Sequence, residues 1–564
     1  MTEAQQLLGG MTLEEKVGQL FVTWVNGKSA DEVNARNQAD FGVDTPAQVI
    51  RKYHLGGVIY FNNDTRDNFD DPAQVARLSN GLQRAAASSG ARIPLQIGTD
   101  QEGGTVTRMG APATEFPNSM AIAAGRDAAD ATDATDASTV LGHELRAVGI
   151  NQDFAPDADV NSNPANPVIG VRSFSGRPDL AAQFVTAEVK GYQNSGRPAE
   201  TVAATAKHFP GHGDAATDSH TGLPRIDRSE ADWRKIDVPP FKAAIAAGID
   251  SIMSAHIQFP SLDPSGEPAT LSKPIITGKL RDELGYDGVV ITDSLEMQGV
   301  RELHSDADIP VLALKAGVDQ LLMPVHLDVA INSVINAVKS GDLPMRRIDQ
   351  SVLRVLKLKL HRGILTSPFD NPAQVPKTVG TPANLATAQR IADKSITAIA
   401  NDAGVLPLKR KPATALVTGW GVTATQALAD RLTAHGTKTT ALPTGQTPSD
   451  ELITQAAAAA EKTDLVIVLT NNLGQFPRQN NLLAALMATG TPVVAVAAQI
   501  PYDAGYANPV PTWLATYGYL TPSLEALAKV VLGQAAPGGK LPVDVPAGAD
   551  VTTIKYPFGH GLSW

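Results

Sequence analysis

The chain has 564 residues, too many for one hydrophobic core, so its length predicts two or three domains. It contains no cysteine, which excludes disulfides, thiolate metal sites and a cysteine nucleophile. The formal net charge of −11 argues against nucleic acid or an anionic membrane as a partner, and no apolar run approaches the ~20 residues of a membrane span. The N-terminal residues lack a basic region followed by an apolar stretch, so we expect a soluble, cytoplasmic protein.

The N-terminal two thirds of the sequence alternates short apolar runs with amphipathic helical stretches. Thr12 and Glu15 form a capping box that predicts the start of a helix. Repeated strand–helix units predict a parallel sheet covered by helices, and about seven or eight units over residues 1–365 predict a TIM-type (β/α)8 barrel. The predicted strands are Gly57–Phe61, Ile93–Thr99, Ile150–Phe154, Val202–Ala206, Ile249–Met253, Gly288–Thr292 and Gln320–Met323.

Polar residues that can carry chemistry come just past the ends of four predicted strands. These residues are Asp100, the pair Lys207 and His208, His256, and Asp293. In a TIM-type barrel the C-terminal ends of the strands form the catalytic face. The four positions therefore predict a single active site.

The segment from Lys207 to His220 carries the densest group of ionisable residues. Its glycines and proline exclude a continuous helix, so we expect a loop after the strand Val202–Ala206. Titratable groups on a loop just past a strand end are typical of an active site.

The composition changes after Leu365. Residues 366–376 contain three prolines and no apolar periodicity, so we assign residues 366–385 to an inter-domain linker. Further apolar runs predict a smaller α/β sandwich domain with an open, mainly parallel sheet over residues 386–564. These runs are Ala415–Thr418, Asp464–Leu469, Pro492–Val496 and Trp513–Thr516. Residues 419–421 (Gly-Trp-Gly) lack the rest of a dinucleotide fingerprint, so no nucleotide cofactor is expected.

Motifs of one known family occur from one end of the chain to the other. They lie at residues 11–20, 100–104 with Arg108, 166–174, 207–220, 291–294, 537–542 and 556–562. In these motifs the sequence resembles glycoside hydrolase family 3, in particular its bacterial β-N-acetylglucosaminidase branch. The resemblance implies the same two-domain plan. It also implies a retaining exo-β-N-acetylglucosaminidase that removes terminal β-linked N-acetylglucosamine and has a β-glucosidase side activity.

The resemblance implies catalytic roles for three residues. Asp293 matches the family's nucleophile, and Asp218 and His220 match an Asp–His dyad that replaces the carboxylic acid of most glycosidases. An imidazole, with an unperturbed pKa of about 6.5, can donate a proton at neutral pH, and Asp218 can orient it through the other ring nitrogen. The alternatives are a helix-capping role for Asp293 and a structural role for His220.

By the same resemblance, five residues bind the hydroxyls and the N-acetyl group of the terminal sugar: Asp100, Arg108, Arg172, Lys207 and His208. The Asp100 carboxylate suits two vicinal hydroxyls, and the cations are donors with a fixed charge. Arg108 or Arg172 could instead serve in a structural ion pair. His256 is left out of the catalytic set, because a lone histidine at a strand end is often a hydrogen-bonded core residue.

Three other functions stay open at this point. A zinc enzyme would use His208, His212, Asp214, Asp218 and His220, but no His-x-x-x-His pair lies on a predicted helix, so we expect no metal and no cofactor. A sugar-binding protein without activity would lack a nucleophile or a proton donor, and both are present. A glycoside phosphorylase would use inorganic phosphate as a partner, since a histidine does not repel it, and would release an α-sugar 1-phosphate from the Asp293 adduct.

Overall fold

The N-terminal part of the chain forms a barrel of parallel strands in the computed structural model, which describes residues 2–126, 130–507 and 510–564. The strands are β1 (Phe21–Thr23), β2 (Gly57–Ile59), β3 (Gln96–Thr99), β4 (Gln152–Asp153), β5 (Ala203–Phe209), β6 (Ser251–Ser254), β7 (Val289–Thr292) and β8 (Leu321–Leu322). Their order is β7-β6-β5-β4-β3-β2-β1-β8, and a parallel bridge between Ile291 and Gln320 joins the two ends of the sheet. The predicted TIM-type barrel is confirmed.

Helices fill most connections between the barrel strands. The Thr12 hydroxyl accepts from the Glu15 N–H at 3.2 Å, and the Glu15 carboxylate accepts from the Thr12 N–H at 2.8 Å, which confirms the predicted capping box. No helix in the described part of the chain is long and apolar enough to cross a membrane. The helices are α1 (Glu3–Gly9), α2 (Leu13–Gly18), α3 (Ala35–Phe41), α4 (Pro46–Tyr53), α5 (Pro72–Ala87), α6 (Ser119–Ala124), α7 (Thr132–Ala147), α8 (Pro178–Asn194), α9 (Glu230–Ile236), α10 (Val238–Ala246), α11 (Gln298–Arg301), α12 (Asp308–Ala316), α13 (Leu327–Ser340) and α14 (Met345–His361), with 3-10 helices at Gly170–Arg172, Pro198–Glu200 and Ala269–Leu271 and a π-helix at Pro274–Glu283.

Several barrel strands are shorter than the predicted runs, and two, β1 and β5, differ from the prediction in a way that matters for the site. The sequence patterns do not predict β1, because its three residues follow α2 so closely that the apolar run has no visible boundary. The prediction that Lys207 and His208 lie in a loop is wrong, since β5 continues to Phe209. The register between β5 and β6 shifts between Ala206 and Phe209, an irregularity that composition does not reveal.

The C-terminal part forms a second sheet with a hydrophobic core on each face, which confirms the predicted α/β domain. Its strands are β9 (Thr397–Asn401), β10 (Thr414–Gly419), β11 (Lys438–Pro443), β12 (Leu465–Thr470), β13 (Val493–Ala497) and β14 (Thr512–Ala515). They lie in the order β11-β10-β12-β13-β14-β9, and all neighbours are parallel except β14 and β9, which are antiparallel. A separate antiparallel hairpin consists of β15 (Val545–Ala547) and β16 (Asp550–Tyr556). The unpredicted strands β9 and β11 are the two edges of the sheet, where strands need a weaker apolar pattern. The helices are α15 (Pro382–Ser395), α16 (Val422–Ala434), α17 (Asp450–Ala460), α18 (Gln479–Ala488), α19 (Asp503–Tyr506) and α20 (Thr521–Val531).

The segment between the two sheets packs against the barrel. Within residues 366–385, a 3-10 helix at Pro372–Lys377 contacts α5, and α15 begins at Pro382. The Asn80 side chain exchanges two hydrogen bonds with the backbone of Asp370, at 2.7 and 3.0 Å. In addition, α6 contributes Met120 to the hydrophobic core of the C-terminal part. These contacts hold the second sheet to the barrel.

Candidate active site

A cavity of about 560 Å³ opens at the C-terminal ends of the barrel strands. TIM-barrel enzymes carry their catalytic groups on this face. The predicted site residues that line the cavity are Asp100, Arg108, Arg172, Lys207, His208, His220 and Asp293. The remaining one, Asp218, is hydrogen-bonded to His220. Among the described residues, the walls come from the barrel, and Met323 is the last residue that contributes to them.

Asp293 lies directly after β7. Its backbone N–H donates to the Ser254 carbonyl at 3.1 Å, and its Oδ1 accepts from the Ser294 N–H at 2.7 Å. Burial raises the pKa of Asp293. The imidazoles of His208 and His256 and the Ser294 N–H outweigh burial, so the pKa lies below its ordinary value. Asp293 is therefore ionised near neutral pH, as a carboxylate nucleophile must be.

Two carboxylates and two cations form a network beside Asp293. Lys207 Nζ donates to Asp100 Oδ1 at 2.9 Å and lies 2.6 Å from Glu102 Oε1. Arg172 donates to both oxygens of Glu102, at 2.9 and 2.8 Å. Burial raises the pKa of Glu102, but the charges of Arg172 and Lys207 hold it well below its usual range. Burial lowers the pKa of Lys207, but Asp100 and Glu102 raise it above its ordinary value. The network therefore presents fixed charges and oriented donors to a ligand.

His208 is oriented by a buried carboxylate. Its Nδ1 lies 2.7 Å from Asp159 Oδ2, and its Nε2 lies 3.5 Å from Arg172 Nη2. Burial raises the pKa of Asp159, but the charges of His208 and His212 outweigh it and lower the pKa. An ionised Asp159 can only accept hydrogen bonds, so Nδ1 of His208 carries a proton.

Arg108 has an incompletely satisfied guanidinium. Its Nη2 lies 3.7 Å from Asp100 Oδ2, beyond hydrogen-bond distance. Its Nε is buried and has no hydrogen-bond partner within the described ranges. An unpaired buried N–H costs about 1–3 kcal/mol. Since Arg108 lines the cavity and its Nη2 makes no hydrogen bond to Asp100, this end of the guanidinium is the part that a substrate hydroxyl or carbonyl could use.

Asp218 and His220 form a hydrogen-bonded pair at the rim of the cavity. His220 Nδ1 lies 2.7 Å from Asp218 Oδ1, and the backbone N–H of His220 donates to the same oxygen at 2.9 Å. The His220 side chain is 61% exposed, whereas that of Asp218 is 34% exposed. Burial raises the pKa of Asp218, but its hydrogen bonds to His220 outweigh burial and lower it. With Nδ1 committed to Asp218, Nε2 is the ring nitrogen left to exchange a proton.

Several site residues escaped the sequence analysis. Glu102 belongs to the motif at residues 100–104 but received no role. Asp157 and Asp159 follow the predicted strand Ile150–Phe154, so the signal that selected Asp100 would have found them too. An ion pair between Arg66 and Glu296 also lines the cavity, and no spacing in the sequence indicates that these two residues meet.

His256 and the candidate metal ligands have other partners. His256 is fully buried and contacts the Thr270 hydroxyl and the Ser294 carbonyl. Of the five residues considered for zinc, His212 contacts Ser219 and Asp214 pairs with Arg228, so their side chains do not converge. In the described part of the chain, the one group whose ligand atoms do converge is Asp157, Asp159 and His208. The Arg172 guanidinium lies 3.7 Å from Asp157, so a cation already occupies the edge of this group.

Comparisons with known proteins identify the family of the chain. The profile of the glycosyl hydrolase family 3 N terminal domain matches residues 12–358, and that of the family 3 C-terminal domain matches residues 396–564. The chain is similar to β-hexosaminidase A of Pseudoalteromonas piscicida, with 38% identity over 64% of this chain and 62% of that protein. It thus spans less than two thirds of that relative's length.

Two other relatives match almost end to end. A β-N-acetylglucosaminidase/β-glucosidase of Cellulomonas fimi is 28% identical over 96% of this chain and 95% of its own length. A solved family 3 β-N-acetylglucosaminidase from Paenibacillus sp. str. FPU-7 superposes with a TM-score of 0.84 and 36% identity, covering 96% of this chain and 100% of that one. On the match of both domains, the chain belongs to glycosyl hydrolase family 3.

Proposed function

We propose that the protein is a retaining exo-β-N-acetylglucosaminidase that acts on terminal β-linked N-acetylglucosamine. The observation that carries the proposal is the placement of Asp293 and His220 on the same cavity, with the Asp100–Glu102–Lys207–Arg172 network beside them. The two groups supply a nucleophile and a proton donor, and the network offers hydrogen bonds for the hydroxyls of one sugar.

The first chemical step forms a covalent glycosyl-enzyme. An oxygen of Asp293 attacks the anomeric carbon while the bond from that carbon to the leaving oxygen breaks. Before this step His220 is an imidazolium, which Asp218 stabilises through the hydrogen bond from Nδ1. During the step Nε2 of His220 gives its proton to the leaving oxygen, and His220 becomes neutral.

The second step reverses these roles. A water molecule gives its proton to the now neutral His220 and attacks the anomeric carbon, which releases Asp293 as a carboxylate. Two inversions at one carbon return the β configuration to the product.

The test is an assay of 4-nitrophenyl β-N-acetylglucosaminide and the matching β-glucoside, each with and without excess chelator. We expect faster release from the N-acetylglucosaminide, unchanged by chelator, and a first-formed product that NMR shows to be the β anomer. An α anomer would contradict the retaining mechanism, and loss of activity with chelator would favour the zinc enzyme.

Phosphorolysis, in which phosphate replaces water as the acceptor of the sugar, is the second candidate function. A histidine in the position of the proton donor favours it. A carboxylate at that position would repel phosphate, whereas His220 carries no negative charge, and the Arg108 guanidinium on the same cavity makes no hydrogen bond to Asp100. We expect that rising phosphate diverts part of the Asp293 adduct to an α-sugar 1-phosphate, measured by mass and by anomeric NMR. Free sugar as the sole product at phosphate well above cellular levels would contradict this prediction.

The C-terminal domain should supply no group essential to the chemistry. Among the described residues, the cavity walls end at Met323, and the proposed proton donor already lies on the barrel. We expect that replacing any single carboxylate after Leu365 by its amide, as in Asp544→Asn, leaves kcat within about threefold, a change of under ~1 kcal/mol in the barrier. The assay is paired with a melting curve, so that only folded variants count. A folded variant with no turnover would place the proton donor on this domain.

A further inference from the structure

The Arg66–Glu296 pair is the feature of the cavity that the proposed function leaves without a role. Arg66 Nη1 and Nη2 donate to the two oxygens of Glu296 at 2.7 and 2.6 Å. The guanidinium lies over the Trp24 ring, 3.8 Å from its centroid. Both side chains are partly exposed to the cavity, at 20% for Arg66 and 29% for Glu296. The pair is therefore rigid, and a ligand can reach it.

The pair lies on the leaving-group side of the cavity. Glu296 is three residues after Asp293, and the segment that follows it contacts the segment that carries His220. The backbone N–H groups of Gln298 and Gly299 donate to the carbonyls of His220 and Ser219, at 3.4 and 3.0 Å. Glu296 thus belongs to the connection that links the nucleophile to the proton donor.

The residues proposed to bind the terminal sugar lie on a different arc of the barrel. They follow β3 and β4 or lie in the last part of β5, whereas Arg66 follows β2 and Glu296 follows β7. In the strand order, β2, β1, β8 and β7 are consecutive, so the pair bridges the arc opposite β4 and β5. His220 follows β5, but its segment contacts the connection after β7 through Gln298 and Gly299, so a saccharide that leaves toward His220 would come close to Glu296.

We propose that the Arg66–Glu296 pair binds the sugar of the leaving group and selects a neutral saccharide over one that carries a carboxylate next to the cleaved bond. This inference rests on the proposed function, since it concerns the leaving group of the same reaction. Both terminal nitrogens of Arg66 are engaged by Glu296, so the pair has no net charge to attract an anion.

Hydrogen bonding favours a neutral sugar as well. Each Glu296 oxygen accepts one hydrogen bond from Arg66 and keeps a lone pair that a sugar hydroxyl can use. A carboxylate has no proton to donate there, and at close range the Glu296 oxygens would repel it in a partly dehydrated cavity, although the pair as a whole is neutral. Lys207 and Arg172 do not compensate, since Asp100 and Glu102 neutralise them. The third cation, Arg108, lies 3.7 Å from Asp100 on the connection after β3, on the side of the terminal sugar.

The test compares two disaccharides that differ in one group. In both, N-acetylglucosamine is β-1,4-linked to a muramic acid residue, with its lactyl carboxylate either free or converted to the primary amide. For the wild-type protein we expect kcat/KM to favour the amide by about tenfold, the scale of one uncompensated charge contact of ~1.4 kcal/mol.

Two charge variants should move this preference in opposite directions. Glu296→Gln leaves Arg66 as an uncompensated cation, so the preference for the amide should vanish or reverse. Arg66→Gln leaves Glu296 as an uncompensated anion, so the preference should increase several-fold. Glu283→Gln is the matched control, because Glu283 forms a similar two-bond pair with Arg234 on the outside of the barrel, and it should not change the ratio.

Hydrolysis of 4-nitrophenyl β-N-acetylglucosaminide is the reference reaction, since its leaving group has no sugar hydroxyls. No turnover of this compound by the wild-type protein would overturn the proposed function and this inference with it. Turnover with an acid-to-amide ratio that neither variant changes would overturn the inference alone. If the loss of kcat/KM in Glu296→Gln increased with the basicity of the leaving group and did not depend on its charge, Glu296 would be the proton donor. That result would also overturn the inference.

Discussion

Asp293→Asn is expected to lower kcat for 4-nitrophenyl β-N-acetylglucosaminide by a factor on the order of 10⁴ or more, as found when nucleophiles of cooperating catalytic groups are removed. The amide keeps the shape of the side chain and its contact with the Ser294 N–H, but it is a poor nucleophile, so no glycosyl-enzyme forms. The loss should appear in kcat, because Asp293 contributes most after the sugar has bound. The value of kcat is measured from the initial rate of 4-nitrophenol release at saturating substrate.

Labelling gives a direct readout of the same assignment. A fluorosugar that slows the second step should leave the wild-type protein modified at Asp293, detected by mass spectrometry of peptides. Asp287→Asn is the matched control, because Asp287 lies just before the other end of β7, on the surface, and it should keep full activity. If the acetamido group of the substrate attacked the anomeric carbon in place of Asp293, the fluorosugar would leave Asp293 unlabelled. That outcome would contradict a covalent aspartyl adduct.

The location of the cavity could be predicted from the sequence because a simple rule places it. A strand that is buried on both faces forms a short apolar run, and polar residues just past it have to lie at the end of the sheet. Asp100 and Asp293 satisfy this rule, and both line the cavity. The alternation of such runs with helical patterns was enough to predict the barrel, whose sheet the structure confirms.

The partners of these residues could not be predicted in the same way. Asp159 contacts His208 from a different strand, and Arg66 meets Glu296 from a segment 230 residues away. Such pairs depend on how separate connections converge above the barrel, and no local pattern records that. The extent of β5 escaped prediction for a related reason, since the polar residues at its end are paired by neighbouring strands rather than exposed to water.

The network of charges around the sugar site also has a consequence for pH. Glu102, Asp218 and Asp293 all have pKa values below their ordinary range, because the cations or hydrogen bonds around them outweigh burial. A carboxyl with a lowered pKa stays ionised until the pH falls below its ordinary range. Loss of activity between pH 6 and pH 5 should therefore not come from protonation of these three groups.

His220→Ala is expected to lower kcat/KM by about 10²–10⁴-fold for substrates with poor leaving groups, the usual range for a general acid. The loss should shrink as the leaving group becomes more acidic, because an activated aryl oxygen departs with little protonation. Asp218→Asn should show the same dependence with a smaller loss, because Nδ1 of His220 then loses its carboxylate partner at 2.7 Å but the imidazole remains. A series of aryl β-N-acetylglucosaminides that spans several pKa values of the phenol measures the slope for each variant.

The control and the competing donors make this prediction decisive. His304→Ala removes a similar histidine–carboxylate pair, to Glu267, away from the cavity, and it should leave the slope unchanged. Asp153 and Glu296 are the carboxylates to test next as proton donor. Asp153 is fully buried and does not line the cavity, so it is not placed to contact the substrate. Glu296 does line it. If His220→Ala lost the same factor across the whole series while Glu296→Gln acquired the steep slope, the proton donor would be Glu296, and the dyad would be a structural contact of its segment.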